Sequence, residues 1–387
     1  MNDSNSSIEE GGGLLPNEET ADLLWQIISP ILILVGTVGN LLSIVVLTRK
    51  GMRKSNVSKY LTCLAVADLA VIYTGLLSAW IKHMFDVTVS GIHEAACKIH
   101  TWLLYSSLHT SAWILVSVTI ERTVFVWNPL RYKVFCTKRI ATLCMISVTG
   151  LCLLLNSHFL FFFVRTETDT GVYECDAGSR VEYEYFLSKV FHWVDMCVWC
   201  IAPVLVHLVC NILIIYRLRR QTRTFQAHNS TAEADRVRQR LVASMTTMLL
   251  SLNLVYLLCT LPVSVFFVGE QHWRDIDPGM EAEATRELTK ACVCLIMYLN
   301  NSTNFIICLV KGKRFRKEVS AIFTCGRTRG PTFQQRSISI SHISRSFRQM
   351  PIAETSSSSL SDIIGLRYRR YSAQGGPISN RSTSASV

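Results

Sequence analysis

Apolar side chains along this chain collect into seven long blocks, at about residues 24–48, 59–82, 99–127, 140–164, 188–216, 241–268 and 291–310. Each is near or above the roughly 20 residues that a helix needs to cross a hydrocarbon core. Lipid offers no hydrogen bonds to the backbone, so a spanning segment must satisfy its own amides, and blocks of this length predict helices. The ends are soft by a few residues, because hydropathy fades gradually into the interface. The pattern therefore predicts an all-α membrane protein, a seven-transmembrane helix bundle over residues 24–310.

The flanking segments read differently. Residues 1–23 form a short acidic tail, and its lack of any apolar run argues against a cleaved signal peptide. After the seventh block, a basic stretch with Phe315 and Ile322 predicts a short amphipathic helix over 311–323 on the membrane surface. Beyond it, residues 324–387 are rich in serine and arginine, the composition of a disordered, phosphorylatable tail open to kinases and arrestin. Cys325 is a candidate acylation site at the junction.

Composition agrees with the blocks: 49% of residues are hydrophobic and only 17% charged. Charge then orients the bundle, because lysine and arginine resist translocation. Arg49, Lys50, Arg53, Lys54 and Lys59 follow the first block, and seven arginines lie between 217 and 240. The alternate segments hold 20 of the 28 acids against eight basic residues. The N-terminus is thus expected outside and the C-terminus inside, in a plasma-membrane protein. Asn2 and Asn5 then head exposed glycosylation sequons. The net charge of +11 is read as orientation signal and contact with anionic membrane lipids, and no nucleic-acid partner is expected.

Of fourteen cysteines, only Cys97 and Cys175 fall in outer segments, where thiols oxidise, so one disulfide between them is expected. No repeat relates one group of spans to another, which weighs against a secondary transporter. Charges inside spans are costly and mark function by default. Asp68 stands in the second block, Glu121 and Arg122 close the third, and Asp195 lies in the fifth. Asn40, Ser111, Asn253, Asn300, Asn301 and Asn304 add neutral polar groups at depth, and an isolated carboxylate such as Asp68 requires a cation, a proton or hydrogen bonds.

Several short motifs occur in a particular order: Gly39-Asn40, Leu64-Ala65-Val66-Ala67-Asp68, Cys97, Glu121-Arg122-Thr123, Cys175, Cys259-Thr260-Leu261-Pro262 and Asn300 to Cys308. In that order the chain resembles the rhodopsin-like (class A) G-protein-coupled receptors, and its seventh span looks most like neuropeptide receptors of the FMRFamide type. The resemblance implies a transducer that couples an extracellular peptide ligand to a heterotrimeric G protein. It implies that Glu121, Arg122 and Thr123 form the G-protein switch, with Arg122 held in an ion pair by Glu121 at rest. It implies that Asp68, Ser111, Asn300, Asn304 and Asn40 form a polar core, and that Asp68 is the centre of an allosteric sodium site, a protonated Asp68 being the other reading. No other cofactor is expected. Pro203 and Pro262 are expected to be hinges.

By position, Lys82, Trp102, Tyr105, His109, His192, Asp195, Trp199 and Tyr298 are the candidate ligand pocket. An aromatic cavity with one carboxylate suits an aromatic, cationic peptide end. Asp195 stands out because neither Phe191 nor Trp199, four residues to either side, can pair with its charge. Departures from the family pattern are Thr260 before the sixth-span proline, Asn211 in place of a tyrosine, and Phe305 after Asn304 in place of proline. They leave a non-signalling decoy of the same fold as an alternative, and a channel or transporter as a more distant one. No hydrolase or metalloenzyme motif appears in the spans, so the chain is not expected to be an enzyme.

Overall fold

A computed structural model describes residues 15–168, 171, 173–227 and 233–323. Asn2, Asn5, Cys325 and the serine-rich stretch 324–387 lie outside the described residues. Seven helices are long and apolar enough to cross a membrane. They are α1 (Pro16–Thr48), α2 (Asn56–Phe85), α3 (Glu94–Trp127), α4 (Lys138–Phe162), α5 (Val181–Arg220), α6 (Glu233–Ile276) and α7 (Met280–Lys311). A short helix, α8 (Lys313–Phe323), follows α7.

Every helix but α4 outruns its apolar block, and α6 reaches 44 residues. Hydropathy reports only the portion bathed in lipid, whereas the backbone hydrogen-bond ladder continues into water wherever the side chains allow it. The burial pattern is that of a membrane bundle. Large apolar residues such as Leu34, Leu143, Ile146 and Leu154 are exposed on the rim, while Asn40, Asp68, Ser111, Asn300 and Asn304 are buried inside. Small residues let the helices close around that polar interior. A Cβ added to Gly36 of α1 would come within 2.5 Å of Ile72 and 2.9 Å of the Ser302 hydroxyl, so only glycine permits this approach of α1 to α2 and α7.

At the Cys97 end, strands β1 (Val164–Glu167) and β2 (Tyr173–Asp176) form an antiparallel hairpin between α4 and α5, with Arg165 opposite Cys175. The expected Cys97–Cys175 disulfide is present, with a Cα–Cα distance of 5.4 Å, and it fastens β2 to the start of α3. Arg165 adds two further ties: its Nε donates to the Gly91 carbonyl at 2.6 Å, and its guanidinium lies 3.4 Å above the Tyr173 ring.

At the opposite end, Gly312 separates α7 from α8. Phe315 turns into the bundle, edge-on to Phe305 at 5.6 Å, and Ile322 packs on the same core. Phe315 thus reaches protein where the sequence pattern alone pointed to lipid. An Arg49–Glu318 ion pair at 3.1 Å joins α8 to the end of α1.

Candidate functional site

Within the bundle, functional side chains collect at three depths along α3. Tyr105 lies eight residues beyond Cys97, about 12 Å along the helix, and Arg122 lies about 25 Å further on.

A cavity of about 210 Å³ opens beside Tyr105, between α3, α5, α6 and α7. Of the expected pocket residues, Tyr105, His192, Asp195, Trp199 and Tyr298 line it. Their placement on α5 has a local cause. Two π-helical turns, Phe186–Phe191 and Cys197–Ile201, flank His192–Met196, and each slips the ladder by a residue, which resets the face that the segment presents. His192 Nε2 donates to the Phe267 carbonyl of α6 at 2.9 Å, fixing the imidazole on the wall.

The other three expected residues sit elsewhere. Lys82 is exposed at the end of α2. Trp102 points toward α4, its indole donating to the Leu153 carbonyl at 2.9 Å. His109 is buried behind Asp195 and bonds to its Oδ1 at 2.9 Å. Asp195 therefore has a partner after all, supplied across the bundle by α3. Asn156 of α4 completes the triad, its amide Nδ2 donating to the Cys152 carbonyl and to His109 Nδ1, both at 2.8 Å. Since an amide NH2 only donates, His109 Nδ1 accepts and its proton sits on Nε2, facing the carboxylate. Asp195 is the only acid on the cavity wall among the described residues, and its other oxygen is left to face the cavity.

Deeper, Asp68 accepts three hydrogen bonds. Ser111 and Asn301 donate to Oδ1 at 2.7 and 2.8 Å, and Asn304 donates to Oδ2 at 2.7 Å. Asn40 reaches the Asn301 carbonyl at 3.0 Å. The expected core is thus assembled from α1, α2, α3 and α7, with Asn301 as a direct partner of the carboxylate that the motif order did not single out. Asn300 Oδ1 is buried with no partner among the described residues. Carboxylate, hydroxyl and amide oxygens form the donor set of a hard cation, and a small cavity of about 10 Å³ borders Asp68 and Asn304.

At the far end of α3 the expected ion pair is not formed. Among the described residues no carboxylate-to-guanidinium contact within 4.0 Å pairs Glu121 with Arg122. Glu121 instead accepts from the Tyr132 hydroxyl at 2.9 Å, and the Arg122 guanidinium rests 5.5 Å from the Phe125 ring. Tyr132 comes from a helical turn, Pro129–Phe135, that Asn128 caps by accepting from the Arg131 amide at 3.0 Å. Burial, and then the neighbouring Glu121 carboxylate, push the Tyr132 phenol up to about 12, so it stays a donor. Sequence proximity favoured Arg122 as the partner; a phenol brought back by the capped turn takes its place. Thr123 bonds to its own helix, at the Thr119 carbonyl.

Between these levels Asn253 of α6 joins three helices. Its Oδ1 accepts from Thr119 of α3 at 3.2 Å, and its Nδ2 donates to Asn211 of α5 at 2.9 Å. Asn211, an oddity by family pattern, is therefore a partner in a cross-bundle chain. The Pro203 and Pro262 positions both lie within continuous helices.

Similarity to known proteins accords with this layout. Over 327 residues, 80% of this chain and 55% of the relative, the sequence is 26% identical to the FMRFamide receptor of Drosophila melanogaster. Over 315 residues, 81% of this chain and 78% of the relative, it is 26% identical to the galanin receptor type 2 of Rattus norvegicus. The human galanin receptor type 2 is 26% identical over 308 residues, 79% of this chain and 73% of that receptor. The family model of the 7 transmembrane receptor (rhodopsin family) matches residues 39–307. With seven spanning helices and that match, the chain belongs to the rhodopsin family of seven-transmembrane receptors and is a multi-pass protein of the plasma membrane.

Proposed function

We propose that this receptor binds an extracellular peptide with a cationic, aromatic end and transmits the event to a heterotrimeric G protein at the Arg122 end. The observation that carries the reading is Asp195: one carboxylate, oriented by His109, on a cavity wall made mostly of aromatic and apolar residues. Relatives named for FMRFamide and galanin support a peptide ligand.

In this reading the acidic segments lie outside and attract the cation before it reaches Asp195. The rest of the expected partners fits the same scheme: glycans on Asn2 and Asn5, acylation at Cys325, lipids along α8, and kinases and arrestin on residues 324–387. Asp68, Ser111, Asn300 and Asn304 would hold a sodium ion, whose charge would balance the buried carboxylate; the Ser111 and Asn304 contacts to Asp68 support this.

The test is a library of amidated peptides applied to cells expressing the chain, read by calcium, cyclic AMP and nucleotide exchange on added G protein. Basic aromatic peptides should evoke exchange. Silence to every peptide, with no basal exchange, would overturn the reading in favour of a decoy.

A further inference from the structure

Beside the main cavity lies a second one of about 180 Å³, bounded by Phe159 and Phe163 of α4 and the hairpin entry, and by Leu187 and Phe191 of α5. The two cavities share three walls: Tyr105, His192 and Asp195. We propose that the side cavity is a second chamber of the ligand site that takes one aromatic ring, carried next to the positive charge seated on Asp195. The inference rests on the reading of Asp195 as the cation site and adds the chemistry of what must flank the cation.

Three observations carry it. Volume is the first: an enclosed cavity of about 150 Å³ accommodates benzene, so a recess of about 180 Å³ has room for an aromatic ring. The second is the lining. Tyr105 packs on Phe159 at 4.8 Å and on Phe191 at 6.0 Å, and Phe159 meets Phe191 edge-on at 5.3 Å, so one side of the recess is a preformed cluster of aromatic rings.

The third is the partition between the chambers. His109 takes Asp195 Oδ1 from behind, and His192 is tied to the Phe267 carbonyl. The Asp195 Oδ2 atom and the Tyr105 hydroxyl have no hydrogen-bond partner among the described residues. An anionic acceptor and a phenol thus stand open on the wall common to both chambers. A ligand whose cation sits there can place a ring on one side and the remainder of its chain on the other. A cation without an adjacent ring would leave the side chamber empty.

Cysteine protection tests this on full-length receptor in membranes. Leu187→Cys, with Phe163→Cys as a second reporter should the first express poorly, places a thiol in the side chamber. Native Cys294 reports on the main cavity. Labelling by a small methanethiosulfonate is read residue by residue by mass spectrometry, with phenylalaninamide or alaninamide as the protecting probe. Phenylalaninamide should slow labelling at the side-chamber cysteine at least fivefold, alaninamide less than twofold, and Asp195→Asn should abolish the difference. Equal protection by the two amides would overturn the assignment. Protection of Cys294 alone would also overturn it while leaving the main-cavity reading intact, and protection of neither thiol would remove both.

Discussion

The hydroxyl of Tyr256 donates to the backbone carbonyl of Trp199. Four positions on stands Pro203, which has no N–H to offer that carbonyl an α-helical bond. The same solution recurs at Pro30, where the Trp80 indole takes the Gln26 carbonyl at 3.4 Å. In each case a proline exposes an acceptor inside the bundle, and an aromatic donor on a neighbouring helix fills it. The proline thereby becomes a joint between helices, α5 to α6 in the first case and α1 to α2 in the second.

Tyr256→Phe keeps the ring and deletes the donor, stranding a buried carbonyl at a cost of about 1–3 kcal/mol. The expected outcome is a Tm several degrees lower in detergent and a higher basal rate of nucleotide exchange, since α6 loses a tie to α5. An unchanged Tm would show that the carbonyl is satisfied in another way.

Asp195→Asn retains an oxygen for the His109 Nε2–H but removes the charge, so the triad with Asn156 survives while the cation site does not. A basic peptide agonist should lose at least tenfold in potency, with surface expression within about twofold of wild type, because a charge-assisted contact contributes about 1.5–3 kcal/mol. Dose–response curves beside flow cytometry would check it. His109→Ala should behave differently, lowering expression as well, because it strands Asn156 and Asp195 together.

Asp68→Asn sets an amide NH2 against a ring of donors. Ser111, Asn301 and Asn304 all point hydrogens at the carboxylate, so at least one must turn away, at a cost of about 1–3 kcal/mol. Agonist affinity in the wild-type receptor should fall when sodium chloride replaces an equal concentration of N-methylglucamine chloride, and this response should vanish in Asp68→Asn. Radioligand competition in the two buffers measures both.

Tyr132→Phe removes the donor that occupies Glu121. The carboxylate is then free to pair with Arg122 on its own helix, and basal nucleotide exchange should drop by about half or more. A rise in basal exchange would mean that Tyr132 is itself the restraint.

The disulfide closes a 78-residue separation, for which the loop-entropy argument gives about 4 kcal/mol. Cys97→Ser together with Cys175→Ser should lower surface expression severalfold and weaken peptide affinity, because the hairpin then keeps only non-covalent ties such as those of Arg165 to Gly91 and Glu94. Immunofluorescence on intact cells and saturation binding would register the two effects.

Much of this architecture was readable along the chain because lipid imposes one strong rule: a segment that crosses it must be long, apolar and helical. Seven blocks gave seven helices, two cysteines in oxidising segments gave the disulfide, and buried Asp68 had to be matched by donors. What could not be read was which donors, since Asn300, Asn301 and Asn304 differ only in helical phase and Asn301 proves to face the carboxylate. Helical phase also decided that Trp102 of α3 points at α4, and the π turns of α5 helped decide that Asp195 meets His109, with no signature in composition. Glu121 chose Tyr132 over its neighbour Arg122 for a related reason: adjacent residues on a helix point about 100° apart, and a capped turn can bring a distant phenol closer than the next side chain. The sequence by itself determined how many times the chain crosses and which charges must be buried. Only the tertiary structure decided which buried groups meet, because pairing depends on helix rotation and close approach, and hydropathy is blind to both.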